Sequence, residues 1–158
     1  MKKNTTIYKQ NYLKLLFAII LCQSAGLIGS VFTFNSVNTW YRTINKPFFN
    51  PPSWVFGPVW TILYTLMGIS LYLAWNTKRM PLKWFWIQLV LNSLWSILFF
   101  GLQNPTLAFI EIIILWIAIF LTIRDFWKFN HIAAKLLVPY LAWVSFASIL
   151  NAAIVFLN

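Results

Sequence analysis

Hydrophobic positions in this chain run together instead of alternating with polar ones. Five apolar runs, at about 13–33, 54–75, 84–102, 106–124 and 133–157, each come close to the ~20 residues that carry a helix across a bilayer. The later runs are joined by connections of roughly two to eight residues, which makes successive helices antiparallel neighbours. The connection after the first run, 34–53, is longer and unusually aromatic. It carries Trp40, Tyr41, Phe48 and Phe49, with Trp54 just beyond it, and Pro47, Pro51 and Pro52 stiffen its backbone. Aromatic groups left in water cost free energy, so this stretch is predicted to fold against the helices as a lid. Ser53 is placed to cap the second helix, behind a proline that keeps the preceding chain from being helical. The pattern predicts an all-α integral membrane protein: five transmembrane helices in a compact bundle with a long structured first loop, as a single domain over 1–158.

Composition strengthens that reading. The chain is 61% hydrophobic and 9% charged, with Glu111 and Asp125 its two acids; a soluble domain has about 25% charged residues. A net charge of +10 suggests nucleic acid, but the basic residues fall between apolar runs and not on a water-facing module. The expected partner is therefore the lipid bilayer, with no nucleic acid. Lys2, Lys3, Lys9 and Lys14 come first, Lys78, Arg79 and Lys83 follow the second run, and Arg124, Lys128 and Lys135 follow the fourth. With five spans these share one side, and Arg42 and Lys46 stand alone on the other. The excess of Lys and Arg marks the cytoplasmic side, so the N-terminus is expected inside and the C-terminus and the 34–53 loop outside. The first run continues past Ser24, Ala25 and Gly26 to Phe34, too long for a cleaved signal, and is predicted to be a retained helix. A single cysteine, Cys22, excludes an internal disulfide and reads as a small buried hydrophobe.

Polar residues inside the spans carry the information about chemistry, because lipid offers them no partner. Gln88, Asn92 and Ser96 recur at four-residue steps in the third span, beside Trp95 and Phe99. Trp143, Ala147 and Asn151 do the same in the fifth, one turn after Pro139, which is expected to bend that helix. Trp60, Tyr64 and Met67 form a stripe in the second. Together these stripes would converge on an aromatic cavity with a few hydrogen-bonding groups, the make-up of a small-molecule pocket. The same spacing serves helix packing, and for Asn92, Ser96 and Asn151 both readings stand equally. Cys22, Gly26 and Ser30 would let another helix approach closely, from this chain or a second copy. Trp95 and Trp116 read as packing residues, and Trp75, Trp84, Trp86 and Trp127 as interfacial anchors. Glu111, the one acid within a span, is expected to snorkel or pair with Arg42 or Lys46, in a structural role more than as a titrating transport group. The sole histidine, His131, falls in a connection, so no axial haem ligand is expected inside the bundle and no metal site either.

The run WYRTINKPFFNPPSWVFGPVWTILYTLMG (40–68), with LNSLWSILFFGLQNP (91–105) and VPYLAWVSFASILN (138–151), resembles the translocator protein family, also known as tryptophan-rich sensory protein or peripheral benzodiazepine receptor (TspO/MBR). These stretches span four of the five helices and the large loop. The resemblance implies five tightly packed helices, often a homodimer, and a pocket closed by the first loop that takes porphyrins and drug-like aromatic ligands. It implies Tyr41, Trp60, Asn92, Ser96, Phe99, Leu107, Trp143, Ala147 and Leu150 as ligand-binding positions. Arg42 and Lys46 would contact ligand carboxylates. No obligatory cofactor is implied; porphyrin enters as ligand. The expected role is a membrane receptor or carrier in tetrapyrrole or stress regulation, in a bacterial cytoplasmic membrane. The alternatives are a light- and oxygen-dependent porphyrin-degrading enzyme, with Trp60 and Trp143 as its working residues, and a small efflux transporter. The family's cholesterol-recognition pattern is incomplete here: Leu150 is present, but Ala152 and Ala153 stand where its tyrosine belongs.

Overall fold

The computed structural model describes the backbone from Lys2 to Asn158 and the side chains from Asn11 onward; Lys2, Lys3 and Lys9 of the charge count lie outside the described side chains. Helix α1 spans Lys2–Asn38, and a four-residue helix α2 spans Trp40–Thr43. A 3₁₀ turn, Ser53–Val55, leads into α3 (Phe56–Trp75). Helix α4 (Lys83–Ser96) continues as a wider π turn over Ile97–Gly101, and α5 covers Pro105–Trp127. The fifth span is built in two pieces, α6 (His131–Lys135) and α7 (Val138–Leu157). Five helical stretches of 28, 23, 19, 23 and 27 residues are long and apolar enough to cross a membrane. At 1.5 Å per residue each reaches roughly the ~30 Å of a hydrocarbon core. The protein is an all-α, five-helix membrane bundle.

Close packing of the first two spans rests on glycine. Gly68 of α3 lies directly against the backbone of Ile19, and Gly26 of α1 lies under the ring of Tyr64. Cys22, one turn from Gly26, is fully buried. The small-residue stripe of α1 thus receives a helix of its own chain at Cys22 and Gly26, the kind of contact small residues permit between membrane helices. Polar ties reinforce it. Gln23 Nε2 donates to the Thr61 carbonyl (3.0 Å) and to Thr65 Oγ1 (3.1 Å), and Ser93 Oγ of α4 donates to the Ala25 carbonyl (3.0 Å).

Several details differ from the sequence reading. The first helix runs to Asn38, not 33. Thr33 and Thr39 return their hydroxyls to carbonyls four residues back (3.0 and 2.9 Å), and Ser36 Oγ donates to the Phe100 carbonyl (2.6 Å), so the extra turn is tied down. Ser53 makes no capping bond; it begins the 3₁₀ turn, and the helix start is set by the extended backbone of Pro52 (φ −56°, ψ 139°). Pro139 does not bend a continuous helix. It occupies the first turn of α7, where a missing N–H costs nothing, after a break at Leu136 and Leu137. Asparagines cap the two helices after tight turns: Asn104 Oδ1 accepts from Leu107 N (2.9 Å), and Asn130 Oδ1 from Ile132 N and Ala133 N (both 3.1 Å).

Gly68→Val should lower the thermal unfolding midpoint in detergent, by the equivalent of about 1–3 kcal/mol for forcing methyl groups into a filled contact. Gly57→Ala should leave the midpoint unchanged or slightly raised, because a Cβ there meets nothing within 4 Å.

Candidate functional site: an aromatic cavity under the first loop

Three of the helices that meet at the lid end bring aromatic faces together around a cavity of about 370 Å³. Helix α3 contributes Phe56, Trp60 and Tyr64; α4 and its π turn contribute Asn92, Trp95, Ser96, Phe99 and Phe100; α7 contributes Trp143, Ala147, Leu150, Asn151 and Ile154. Helix α1 supplies the fourth wall with Gln23, Gly26, Leu27, Ser30, Thr33 and Val37.

The roof is the loop after α1. Tyr41 is buried, its ring 6.2 Å from Phe99 and 5.7 Å from Phe100, while Trp40 meets Phe99 edge-on at 5.6 Å and Phe49 meets Phe146 at 6.4 Å. Tyr41 Oη donates to Asn50 Oδ1 (2.7 Å), folding the loop back on itself. Burial pushes the Tyr41 phenol above its ordinary range, with the Asn50 hydrogen bond pulling the other way, so it remains an O–H donor. Lys46 Nζ donates to the carbonyls of Tyr41 (2.6 Å) and Ile44 (2.7 Å). A reciprocal latch joins loop to α7: Asn45 N donates to Asn158 Oδ1 (2.9 Å), Asn45 Nδ2 to the Leu157 carbonyl (3.1 Å), and Asn158 Nδ2 to the Asn45 carbonyl (3.0 Å).

The floor is polar and fully paired. The Tyr64 hydroxyl donates to Asn92 Oδ1, and Asn92 Nδ2 donates to Tyr140 Oη (2.9 Å), so one amide bridges α3, α4 and α7. Trp60 stacks on Tyr64 (5.4 Å, 27°) and meets Tyr140 edge-on (6.2 Å). Higher up, Trp95 Nε1 donates to Asn151 Oδ1 (3.2 Å), and Asn151 Nδ2 to the Pro105 carbonyl (2.8 Å). Trp143 Nε1 is covered by protein atoms and has no hydrogen-bond partner.

Of the positions expected from sequence, Tyr41, Trp60, Asn92, Ser96, Phe99, Trp143, Ala147 and Leu150 line this cavity. Leu107 does not: it sits in the first turn of α5 and is 42% exposed. Arg42 and Lys46 do not line it either; Arg42 donates back to Asn38 Oδ1 (3.2 Å), and Lys46 is held by the loop carbonyls. Glu111 neither snorkels nor pairs with them. It lies on the inward face of α5 with Ala108, Ile112 and Leu115, is 5% exposed, and both carboxyl oxygens lack a partner. Gln88, buried with both amide atoms unpartnered, and Met67, also buried, do not line the cavity. Trp116 packs as expected, with Nε1 donating to Ser145 Oγ (2.8 Å); Trp95 both packs and faces the cavity. The α1 wall was missed, although Gln23, Gly26, Ser30 and Thr33 recur at steps of three and four and so mark one helix face.

Five spanning helices around an aromatic cavity near one membrane face, roofed by their first loop, define a polytopic α-helical membrane protein. The family follows from the sequence: residues 18–157 match the TspO/MBR family, and the chain belongs to it. It is 52% identical over 153 residues to the tryptophan-rich protein TspO of Archaeoglobus fulgidus, covering 94% of this chain and 99% of that protein. It is 45% identical over 152 residues to the protein of the same name from Chlorobaculum tepidum, with 92% and 96% covered. The human translocator protein is 37% identical over 139 residues, 83% of this chain and 82% of that one.

Asn92→Ala would strand two buried phenol hydroxyls at once. It should lower the thermal midpoint by the equivalent of about 1–3 kcal/mol, more than Ser96→Ala in the same assay.

Proposed function

We propose that this protein is a membrane receptor or carrier that holds flat aromatic macrocycles, porphyrins foremost, in the cavity beneath the loop. The observation that carries this reading is the aromatic cavity itself, with Trp60 and Trp143 in its walls and the Tyr41 loop over it. Rings on three sides supply the rest: Trp60, Trp95, Phe99 and Trp143 offer faces and edges to a planar π system, and Ser96 adds a hydroxyl. The cavity volume falls in the range of small-molecule sites. Relatives named translocator protein and tryptophan-rich sensory protein fit a protein that binds and reports or hands on a ligand. In a prokaryotic cytoplasmic membrane, the basic residues between the second and third and the fourth and fifth spans put those turns in the cytoplasm. The lid then faces outward.

Protoporphyrin titrated into the purified protein should quench tryptophan fluorescence saturably. Trp143→Ala removes a ring from the cavity wall and should weaken affinity roughly three- to tenfold, the worth of one aromatic contact. Leu107→Ala should bind as the native protein does. Absence of saturable quenching, or a Trp143→Ala variant that binds with unchanged affinity, would contradict the reading.

A further inference from the structure

The roof of the cavity is fastened, and its side is not. Among the lining residues, those from α4 and α7 are all buried or half-buried. Every one that is exposed belongs to the first two spans and their start: Leu27 and Ser30 on α1, Ser53, Gly57 and Thr61 on the turn and α3. Leu27 is 66% exposed. These residues fall on the facing stripes of two neighbouring helices. The helices are in contact lower down, where Gly26 meets Tyr64 and Gln23 clasps Thr61 and Thr65. Above that clasp they part, and at Gly57 an added Cβ would meet nothing within 4 Å.

We propose that this slot between α1 and α3 is a lateral entrance, through which a flat apolar ligand dissolved in the lid-side leaflet reaches the cavity without crossing the lid. The proposal rests on the reading of the cavity as a porphyrin site. From Ser53 to Thr61 the slot runs roughly 12 Å along the helix, within one leaflet. Apart from Leu27, which already points outward, its edges are small residues. The two hydroxyls within its helices are already satisfied there: Ser30 Oγ donates to the Leu27 carbonyl (2.7 Å) and Thr61 Oγ1 to the Gly57 carbonyl (2.9 Å). An apolar molecule sliding past therefore strips no donor of its partner. The alternative route lies under the loop, and there the Asn45–Asn158 latch and the Tyr41 and Phe49 ring contacts would have to break. Small residues on facing helices ordinarily bring those helices together. Here, above the clasp, they leave an opening.

Two measurements on the full protein in proteoliposomes test this. A nitroxide on Gly57→Cys, with the buried native Cys22 as the unlabelled background, should be relaxed by oxygen and not by a water-soluble nickel chelate. Protection from both would mean a helix of a second copy fills the slot, and exposure to the chelate would mean that it opens to water; either result overturns the entrance. In the second measurement, Ser30→Leu with Gly57→Leu, which narrows the slot without adding a fluorophore, should slow both onset and release of protoporphyrin quenching by about tenfold. Asn45→Ala, which removes the latch, should leave the onset rate as it was. Unchanged rates in the double variant, or faster onset in Asn45→Ala, would place entry at the lid instead. Native protein that shows no quenching would sink the porphyrin reading, and the spin-label result would still decide whether the slot opens to lipid.

Discussion

One buried amide holds the lid-side half of this bundle in shape. Asn92 accepts from Tyr64 and donates to Tyr140, and in doing so fixes α3, α4 and α7 at one level of the membrane. In hydrocarbon such a bridge has no competitor, because neither lipid nor water offers the three groups another partner there. Above the bridge the helices are free to hold their aromatic faces apart. Below it they close on one another through Met67, Leu71, Phe85 and Leu137. The cavity exists at that depth because a polar knot, and not a layer of leucines, forms its floor.

Set against that economy, the unpaired groups stand out. The described part of the bundle leaves Gln88, Glu111 and the Trp143 N–H without partners. Glu111 and Gln88 lie off the cavity, among apolar neighbours, and nothing in the structure explains their cost. Trp143 is different because its ring belongs to the wall of a cavity large enough for a small molecule.

The architecture was legible from sequence because a bilayer imposes a single length scale. A run of apolar residues without charge has to be a helix of about 20 residues, and five such runs were readable with ends in error by a few positions. The errors fall where local hydrogen bonds decide. Ser, Thr and Asn at the end of α1 tie back to the helix and lengthen it, and a proline expected to kink the last span begins it instead. Eight of nine expected wall positions do line the cavity, since helical spacing and family resemblance both fix them. Leu107 fails because its place depends on where α5 starts, and Asn104 and Pro105 start it so that this residue turns outward. Arg42 and Lys46 fail for a subtler reason. Sequence shows charges near a lid, but not that the Asn38 side chain will take Arg42 and the loop's own carbonyls Lys46. The α1 wall was missed because spacing marks the face that Gln23, Gly26, Ser30 and Thr33 share, but not whether that face meets a helix, a ligand or lipid.

The claim at the centre of this account is that the space between Trp60 and Trp143, under Tyr41, is where a planar macrocycle rests. A structure of the protein loaded with protoporphyrin tests it most directly. The account predicts macrocycle density inside the bundle, packed against the Trp60 and Trp143 rings, with the loop still latched over it. Density lying on the lipid-facing exterior of the helices, with the cavity between those two indoles unfilled, would contradict it.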